Sequence, residues 1–470
     1  MSEFVHRFLN FDKISNPQKI AMSFLLVIFI GAFLLCLPIS NQSHTWLSYI
    51  DALFMATSAT CVTGLGSIPL ATSFTLFGKI VMLFMIQIGG LGLMTLMALF
   101  VSVMKKRLSI RETRLMKDML NSNSQLNMRK FIKDIILYVV CFEVIGAILL
   151  MFVFIPDYGW KAGIFHSIFT SVSAFCNAGF DTLGETSLLV YQHHYYVLMV
   201  ITSLVIIGGI GFAVWFDIRD RLQALLRKKI TWSRFYGSLS LHTRIVVSFS
   251  LFLIIVPALL WLVIEFHNPQ TIGNFSFFDK VVTALSEMVF LRTAGFTTIS
   301  YSGLSNAGAL LMMMIMFIGG SPGGTAGGIK TTTVFVIILY VKSLLSGRNV
   351  TVFKKRSIAR GTIITAMGIF FLNIVVLFTG IFLLSILESH SFISLCFEAV
   401  SALATVGSSL GVTPLLSVGG KIVIIVMMFI GRIGITTLLL SVIRYDVNDA
   451  KNAIVYPEAD IVVGGSVKNL

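Results

Sequence analysis

Four stretches carry one pattern: Ser58-Ala59-Thr60-Cys61-Val62-Thr63-Gly64, Ser173-Ala174-Phe175-Cys176-Asn177-Ala178-Gly179, Val289-Phe290-Leu291-Arg292-Thr293-Ala294-Gly295 and Ser401-Ala402-Leu403-Ala404-Thr405-Val406-Gly407. Their closing glycines lie 115, 116 and 112 residues apart. A second landmark follows each copy: Ile88-Gly89-Gly90, Ile207-Gly208-Gly209, Ile318-Gly319-Gly320 and Ile430-Gly431-Arg432. The step from the closing glycine to the first glycine of the second landmark is 25, 29, 24 and 24 residues. Two landmarks that keep step through four copies mark an internal repeat, so the chain is four versions of one unit.

The repeat sits in an apolar chain. With 56% hydrophobic and 12% charged residues over 470 positions, this is not the composition of a soluble globule. Many apolar runs reach the roughly 20 residues that a helix needs to cross about 30 Å of hydrocarbon. The first, residues 20–37, follows a polar leader and lacks cleavage-site chemistry, so it reads as a retained span. The net charge of +14 invites a nucleic-acid reading, but its distribution opposes one. Segments 105–133, 217–244 and 342–360 hold nine, seven and six Lys/Arg, whereas 39–50, 156–166, 267–280 and 388–394 hold none, one, one and none. That alternation follows the positive-inside rule and predicts a plasma-membrane protein with the basic segments and both termini in the cytoplasm. The five cysteines fall in apolar or re-entrant segments without CxxC spacing, so neither a disulfide framework nor a zinc site is indicated.

Each unit reads as a spanning helix, a re-entrant helix too short to span, an extended loop and a second spanning helix. The expected triplets are 20–38, 48–60 and 76–103; 132–155, 163–175 and 194–216; 245–266, 277–290 and 304–340; and 361–387, 391–404 and 420–443. The fold class is therefore an all-α membrane protein, with eight spanning and four re-entrant helices in four pseudo-repeated helix–pore-loop–helix units around a central pore. The organisation is a cytoplasmic leader at 1–18, pore units at 19–104, 105–217, 218–341 and 342–444, and a cytoplasmic tail at 445–470. Segment 105–130 reads as an amphipathic cytoplasmic helix or a helix end, Val350-Thr351-Val352-Phe353 as part of a short hairpin, and the tail, with Ala459-Asp460-Ile461-Val462-Val463, as a docking segment.

Non-helical backbone at membrane depth is tolerated only where protein buries it or where it lines a water-filled path. Four such segments around one axis would aim four re-entrant helix C-termini inward, each with about half a negative charge. A ring of carbonyls beyond them would replace a hydration shell, which is the chemistry of a cation filter. Glycine is needed where the backbone must visit regions closed to side chains. The candidate filter is Thr60, Cys61, Val62, Thr63 and Gly64; Cys176, Asn177, Ala178 and Gly179; Arg292, Thr293, Ala294 and Gly295; and Ala404, Thr405, Val406 and Gly407. No ring of carboxylates occurs in these loops, so the ion should be monovalent. Potassium, held by the carbonyls of Val62, Thr63, Asn177, Ala178, Thr293, Ala294, Thr405 and Val406, fits best. A single glycine in an apolar sequence is usually a packing residue, but four in register reverse that judgement.

The run Gly319-Gly320-Ser321-Pro322-Gly323-Gly324-Thr325-Ala326-Gly327-Gly328 interrupts an otherwise spanning segment and cannot form a stable helix. It reads as a mobile gate across the pore. A kinked helix and a phosphate-binding loop are the competing readings. The second is a near miss to GxxxxGK[ST], with Lys330-Thr331 one residue late and no preceding strand. Arg432 replaces the second landmark glycine of unit four, and an arginine at membrane depth is a functional candidate. It should face the loop carbonyls, with a structural ion pair as the alternative. Lys330 reads as a snorkelling side chain near the cytoplasmic end. Arg292 is assigned a structural pairing with Glu287 ahead of ion contact.

Taken together, Thr60-Cys61-Val62-Thr63-Gly64-Leu65, Cys176-Asn177-Ala178-Gly179-Phe180, Arg292-Thr293-Ala294-Gly295-Phe296, Ala404-Thr405-Val406-Gly407-Ser408, the glycine-rich stretch after Ile318 and Ile430-Gly431-Arg432-Ile433-Gly434 resemble the Trk/Ktr/HKT superfamily of potassium transporters over residues 20–465. The absence of an additional N-terminal helix pair favours the membrane subunits of the Ktr branch. The resemblance implies a filter simpler than the TVGYG loop of potassium channels, and often sodium dependence. It also implies a homodimer seated on a cytosolic RCK-type nucleotide-binding regulatory subunit; no nucleic acid is expected. The basic segments 105–130 and 342–360 exceed what topology needs and carry apolar residues between their charges, so they are expected to contact such a subunit, with simple orientation by positive charge as the alternative. A membrane enzyme is disfavoured because Glu287 and Glu398 lack the four-fold recurrence of the glycines. A secondary carrier for another small solute is disfavoured because such carriers show two-fold inverted repeats and broken helices in both halves, whereas only one clearly broken helix is legible here.

Overall fold

The computed structural model of the chain describes residues 16–103, 128–184, 187–348 and 350–442. The leader up to residue 15, most of segment 105–130 and the tail 445–470 lie outside the described residues. Unit one consists of α1 (Asn16–Cys36), α2 (Tyr49–Cys61) and α3 (Leu76–Val103). Unit two consists of α4 (Met128–Cys176), α5 (Tyr195–Ile210) and α6 (Phe212–Leu226), followed by the short α7 (Trp232–Ser238). Unit three holds α8 (Leu241–Glu265), α9 (Phe277–Phe290), α10 (Asn306–Phe317) and α11 (Thr331–Leu345). Unit four holds α12 (Arg360–Leu387), α13 (Phe392–Ala404), α14 (Val418–Ile433) and α15 (Ile435–Val442).

The first helix of each unit is long and apolar enough to cross a membrane. The expected gap between the first and re-entrant helices of unit two shrinks to one residue, because α4 runs through both and breaks only at Gly159, with φ of 77°. Gly163 makes the turn tight: a Cβ there would strike the Phe154 carbonyl.

The second helices overturn the expectation of one broken helix, since all four are interrupted. Gly92 breaks α3 with φ of 73°, Gly211 separates α5 from α6 at a bend of 100°, and Gly434 separates α14 from α15 with φ of 85°. In unit three the interruption expands into the loop between α10 and α11. Gly92, Gly211, Pro322 and Gly434 each stand three residues after the first landmark glycine. Only the inserted loop of unit three declares itself by composition; a lone glycine in an apolar helix reads as a packing site. The eight expected crossings are thus four unbroken helices and four interrupted ones, and broken helices no longer argue against a carrier.

One packing rule closes the ring. The second helix of each unit lies against the re-entrant helix of the next: α3 on α4, α5 on α9, α10 on α13, and α14 back on α2. Two of these seams are tied where the re-entrant helix begins. Lys421 of α14 pairs with Asp51 of α2 at 2.7 Å, and the Tyr195 hydroxyl of α5 donates to Asp279 of α9 at 2.5 Å. Both acids occupy the third position of their helix, where they also face its positive dipole end.

The re-entrant helices form the core. They are enclosed on every side, so even their small and polar residues are buried, from Ala52 to Cys61 in α2 apart from the part-exposed Leu53 and from Phe397 to Ala404 in α13. The outer faces of α1, α8 and α12 present Phe29, Phe33, Leu259, Val263, Phe371, Phe378 and Phe382 to the exterior. Apolar exposure on this scale suits lipid rather than water. The expected hairpin is present, with β1 (Val352–Phe353) and β2 (Arg356–Ser357) joined through Lys354 and Lys355, both at positive φ as a two-residue hairpin turn requires.

Candidate functional site

Each re-entrant helix ends by turning into its loop. In units one, two and four the turn is the same. Val62, Asn177 and Thr405 adopt the left-handed conformation, with φ of 56°, 60° and 52°. The amide of the following residue reaches back to a serine carbonyl: Thr63 to Ser58, Ala178 to Ser173 and Val406 to Ser401, each at 2.8 Å. This is the helix-ending motif that ordinarily employs glycine at the left-handed position. In units one and four the serine hydroxyl also accepts the amide of the closing glycine, at 3.1 Å to Gly64 and to Gly407. Unit three has Val289 in place of that serine and turns differently, with Ala294 and Gly295 both donating to the Phe290 carbonyl, and Thr293 taking the positive φ of 71°. Holding β-branched residues left-handed costs on the order of 1–3 kcal/mol each, so the surroundings must impose it.

What imposes it is the approach of the four loops to one another. The closing glycines all have positive φ: 96° at Gly64, 70° at Gly179, 69° at Gly295 and 99° at Gly407. A Cβ on Gly64 would lie 2.6 Å from the Ala178 carbonyl oxygen, one on Gly179 2.6 Å from that of Ala294, and one on Gly295 2.6 Å from that of Val406. A Cβ on Gly407 would strike the Thr63 carbonyl, which closes the circle. Each glycine therefore touches the carbonyl that precedes the glycine of the next unit. Four of the eight expected carbonyls, those of Thr63, Ala178, Ala294 and Val406, share one ring. Nearby, the hydroxyls of Thr60, Thr63, Thr293 and Thr405 are buried without a protein partner. Among the described residues no cluster of His, Cys, Asp or Glu could hold a metal ion. The available cation donors are neutral oxygens, a set that favours a monovalent ion.

The second landmarks lie directly against this ring. A Cβ on Gly89, Gly208 or Gly431 would collide with the carbonyl of Thr60, Phe175 or Leu403, each four residues before a closing glycine. Unit three departs: Gly319 packs on Gly327 of its own loop. That loop closes on itself through Gly319 N to Ile329 O at 2.9 Å and Thr331 N to Gly320 O at 3.1 Å. It then docks on unit two, whose helix break frees the acceptors: Ser321 N donates to Gly209 O at 3.0 Å and Thr325 N to Gly208 O at 3.2 Å, while Phe212 N donates to Gly323 O at 3.0 Å. The Thr325 hydroxyl reaches the Phe175 carbonyl at 3.2 Å. Gly327 abuts the Thr405 hydroxyl so closely that a side chain there would overlap it.

Arg432 completes the arrangement. Its guanidinium donates to the carbonyl of Thr325 in the loop and to that of Gly89 in unit one. Gly89, Gly208–Gly209, the loop and Arg432 thus bring all four second landmarks together beneath the ring. No acid pairs with Arg432 among the described residues, so its alternative reading as half of an ion pair is not what the geometry offers. Two other expectations are corrected. Lys330 does not reach outward; its Nζ donates to the Ala326 carbonyl at 2.7 Å, within the loop it follows. Arg292 does not pair with Glu287; its guanidinium donates to the Ser250 hydroxyl at 3.1 Å. Glu287 is occupied by Thr298 and Tyr301, and Glu398 by Ser409 and Thr413. A near-neighbour rule in sequence pointed Arg292 at an acid on its own helix, whereas the helix end turns it toward α8. The acceptors on Gly208 and Gly209 were also missed; their one signal is Gly211, which stands at the same step after its landmark as Gly92 and Gly434 and gains meaning only from that recurrence.

Comparison with known proteins agrees with this layout. The family model described as TrkH, cation transport protein, matches residues 6–450. The Ktr system potassium uptake protein B of Bacillus subtilis is 37% identical over 452 residues, covering 96% of this chain and 97% of that protein. The potassium/sodium uptake protein NtpJ of Enterococcus hirae is 38% identical over 456 residues, covering 96% and 98%. Among solved structures, the potassium transporter TrkH from Vibrio parahaemolyticus superposes with a TM-score of 0.69 at 20% identity, over 93% of this chain and 86% of that one, which shows the fold.

Proposed function

Because the chain belongs to the TrkH family of cation transport proteins, we propose that it takes up potassium through the carbonyl ring at Gly64, Gly179, Gly295 and Gly407, with loop 319–328 and Arg432 as the gate beneath it. The observation that carries this reading is the closed contact of each glycine with the next unit's carbonyl. A potassium ion entering the ring exchanges water oxygens for carbonyl oxygens. The negative ends of four re-entrant helices lower the cost of desolvating it. The filter residues are those from Thr60 to Gly64, Cys176 to Gly179, Arg292 to Gly295 and Ala404 to Gly407. Within the third stretch, Arg292 serves packing, since its guanidinium is engaged by Ser250.

Below the ring, the Arg432 charge and the loop backbone stand in the same path. A unit charge about 4 Å from a passing cation opposes it by about 4 kcal/mol at an effective dielectric near 20. Opening requires the loop to leave Gly208 and Gly209 and Arg432 to release Thr325. The hydrogen bonds that hold the loop join backbone to backbone, Arg432 to backbone and the Thr325 hydroxyl to backbone, so motion of the loop breaks them without unfolding a helix.

The wider assignment is a plasma-membrane homodimer with cytoplasmic termini, regulated by a cytosolic RCK-type nucleotide-binding subunit that contacts the basic segments 105–130 and 342–360. The exposed hairpin with Lys354 and Lys355 supports the second segment as a contact. The printed name of the Enterococcus hirae relative supports sodium as a second transported or coupling ion. Rubidium uptake by vesicles containing the purified protein, driven by a potassium gradient and then by a sodium gradient, tests the reading. Uptake that competes with potassium is expected; no uptake from correctly folded protein would overturn it.

A further inference from the structure

The pore units are not braced alike behind the ring. In unit three, Glu287 on α9 is fully buried eight residues before Gly295. Its carboxylate accepts the Thr298 amide at 2.7 Å, the Thr298 hydroxyl at 2.6 Å and the Tyr301 hydroxyl. In unit four, Glu398 on α13 is fully buried nine residues before Gly407 and accepts the Ser409 hydroxyl and the Thr413 hydroxyl, the latter at 2.9 Å. Both acids therefore reach from the re-entrant helix across to the outward limb that leaves the filter glycine. Among the described residues neither forms an ion pair. The positions at the same distances in units one and two are Met55, Ala56, Thr170 and Ser171, none of which carries a carboxylate. In unit two the acid lies in the limb instead, where Asp181 accepts the Leu183 amide two residues on and ties the limb to itself.

We propose that Glu287 and Glu398 are positioning residues that fix the outward limbs of loops three and four, and that these two limbs set the ion preference of the ring. The proposal rests on the filter reading above. Ion preference in a carbonyl ring depends on how far its oxygens can move toward a smaller ion. A limb anchored at two points by hydrogen bonds to a buried carboxyl group resists that movement, whereas a limb tied only to itself follows it. Each clamp lies behind the backbone rather than in the path, so these acids touch no ion. Their effect is carried by Thr298, Tyr301, Ser409 and Thr413.

The experiment unties the limbs first from the limb side, leaving the re-entrant helices unaltered, and then at Glu398 itself. Tyr301→Phe, Thr298→Val and Thr413→Val are compared with wild type and with Asp181→Asn, all in vesicles at equal amounts of folded protein and with thermal midpoints recorded. The half-saturation concentrations for rubidium and for sodium competition are measured separately from the maximal rate. Gly407→Ala, measured alongside, decides the filter reading, and the limb variants decide this proposal. The ratio of the two half-saturation concentrations is expected to move toward sodium by about fivefold in Thr298→Val and Thr413→Val, which is the order expected from the net contribution of one hydrogen bond. A smaller shift is expected in Tyr301→Phe, and none in Asp181→Asn. Glu398→Asp, which retains the carboxyl group but shortens the reach, should shift the ratio less than Glu398→Ala. An unchanged ratio in both threonine variants would overturn the proposal, as would an equal shift in Asp181→Asn.

Discussion

At the closing glycines the four units make one contact in common; at the helix breaks that follow them they diverge. Each glycine of the ring meets the same neighbour in the same way, and the residue two before it is left-handed in every unit. At the breaks, units one, two and four spend a single glycine, while unit three inserts a loop and unit four contributes an arginine. A ring that must present equal oxygens to one ion on the axis tolerates little divergence among its members. A closure needs only one element that moves and one that holds it, so a single unit can supply each. On the proposed reading, the difference separates selection between ions, at the ring, from control of flux, at the breaks.

The largest expected effect breaks the symmetric half. Gly407→Ala places a Cβ against the Thr63 carbonyl at a φ of 99°, which costs about 1–2 kcal/mol in backbone strain before the clash is counted. The potassium-to-sodium uptake ratio should fall by about tenfold or more, as read by competition against rubidium in vesicles. Gly64→Ala, whose Cβ would lie 2.6 Å from the Ala178 carbonyl, should behave alike. If only one of the pair matters, the ring is not symmetric in function.

Next comes the asymmetric half. Arg432→Ala removes both the tether on Thr325 and the charge beneath the ring. Maximal flux should rise by about tenfold with the ion ratio unchanged, since a charge a few ångströms from the path opposes a cation by several kcal/mol, and part of that is already offset in the open state. Stopped-flow uptake at saturating rubidium measures it.

A sharper comparison sets two breaks against each other. Gly211→Ala puts a Cβ 2.6 Å from the Pro322 carbonyl of the loop, whereas a Cβ on Gly434 meets nothing within 4 Å. Both incur the positive-φ penalty of about 1 kcal/mol, but only Gly211→Ala should loosen the loop and raise flux, by about threefold. Gly434→Ala should lower the thermal midpoint and leave flux within about twofold of wild type.

These contrasts also explain what the sequence could disclose. The repeat, the re-entrant helices and the ring were legible because composition, register and backbone chemistry all pointed one way at Gly64, Gly179, Gly295 and Gly407. The loop was legible because six glycines and a proline forbid a helix there. The breaks at Gly92, Gly211 and Gly434 were hidden because one glycine in an apolar helix has a common, harmless reading. The partners of Arg292 and Glu287 were hidden for a different reason. They lie 42 residues away on α8 and 11 and 14 residues away along an irregular limb, separations at which pairing is decided by the fold.

The smallest expected effect concerns the seams. Asp51→Asn should destabilise the closure of unit four on unit one by about 1 kcal/mol, the scale of a largely shielded but outward-facing ion pair. The loss should be matched rather than compounded in the double variant with Lys421→Met, as thermal unfolding in detergent would record, with the ion ratio intact.

The most direct measurement places Gly407→Ala and Arg432→Ala beside wild type in one vesicle experiment, recording rubidium flux and its competition by sodium together. The account predicts that the glycine variant changes the ion ratio, and that the arginine variant changes the maximal flux while keeping the wild-type ratio. If Arg432→Ala moves the ratio as far as Gly407→Ala does, the ring and the closure beneath it are one device and the separation argued here is contradicted.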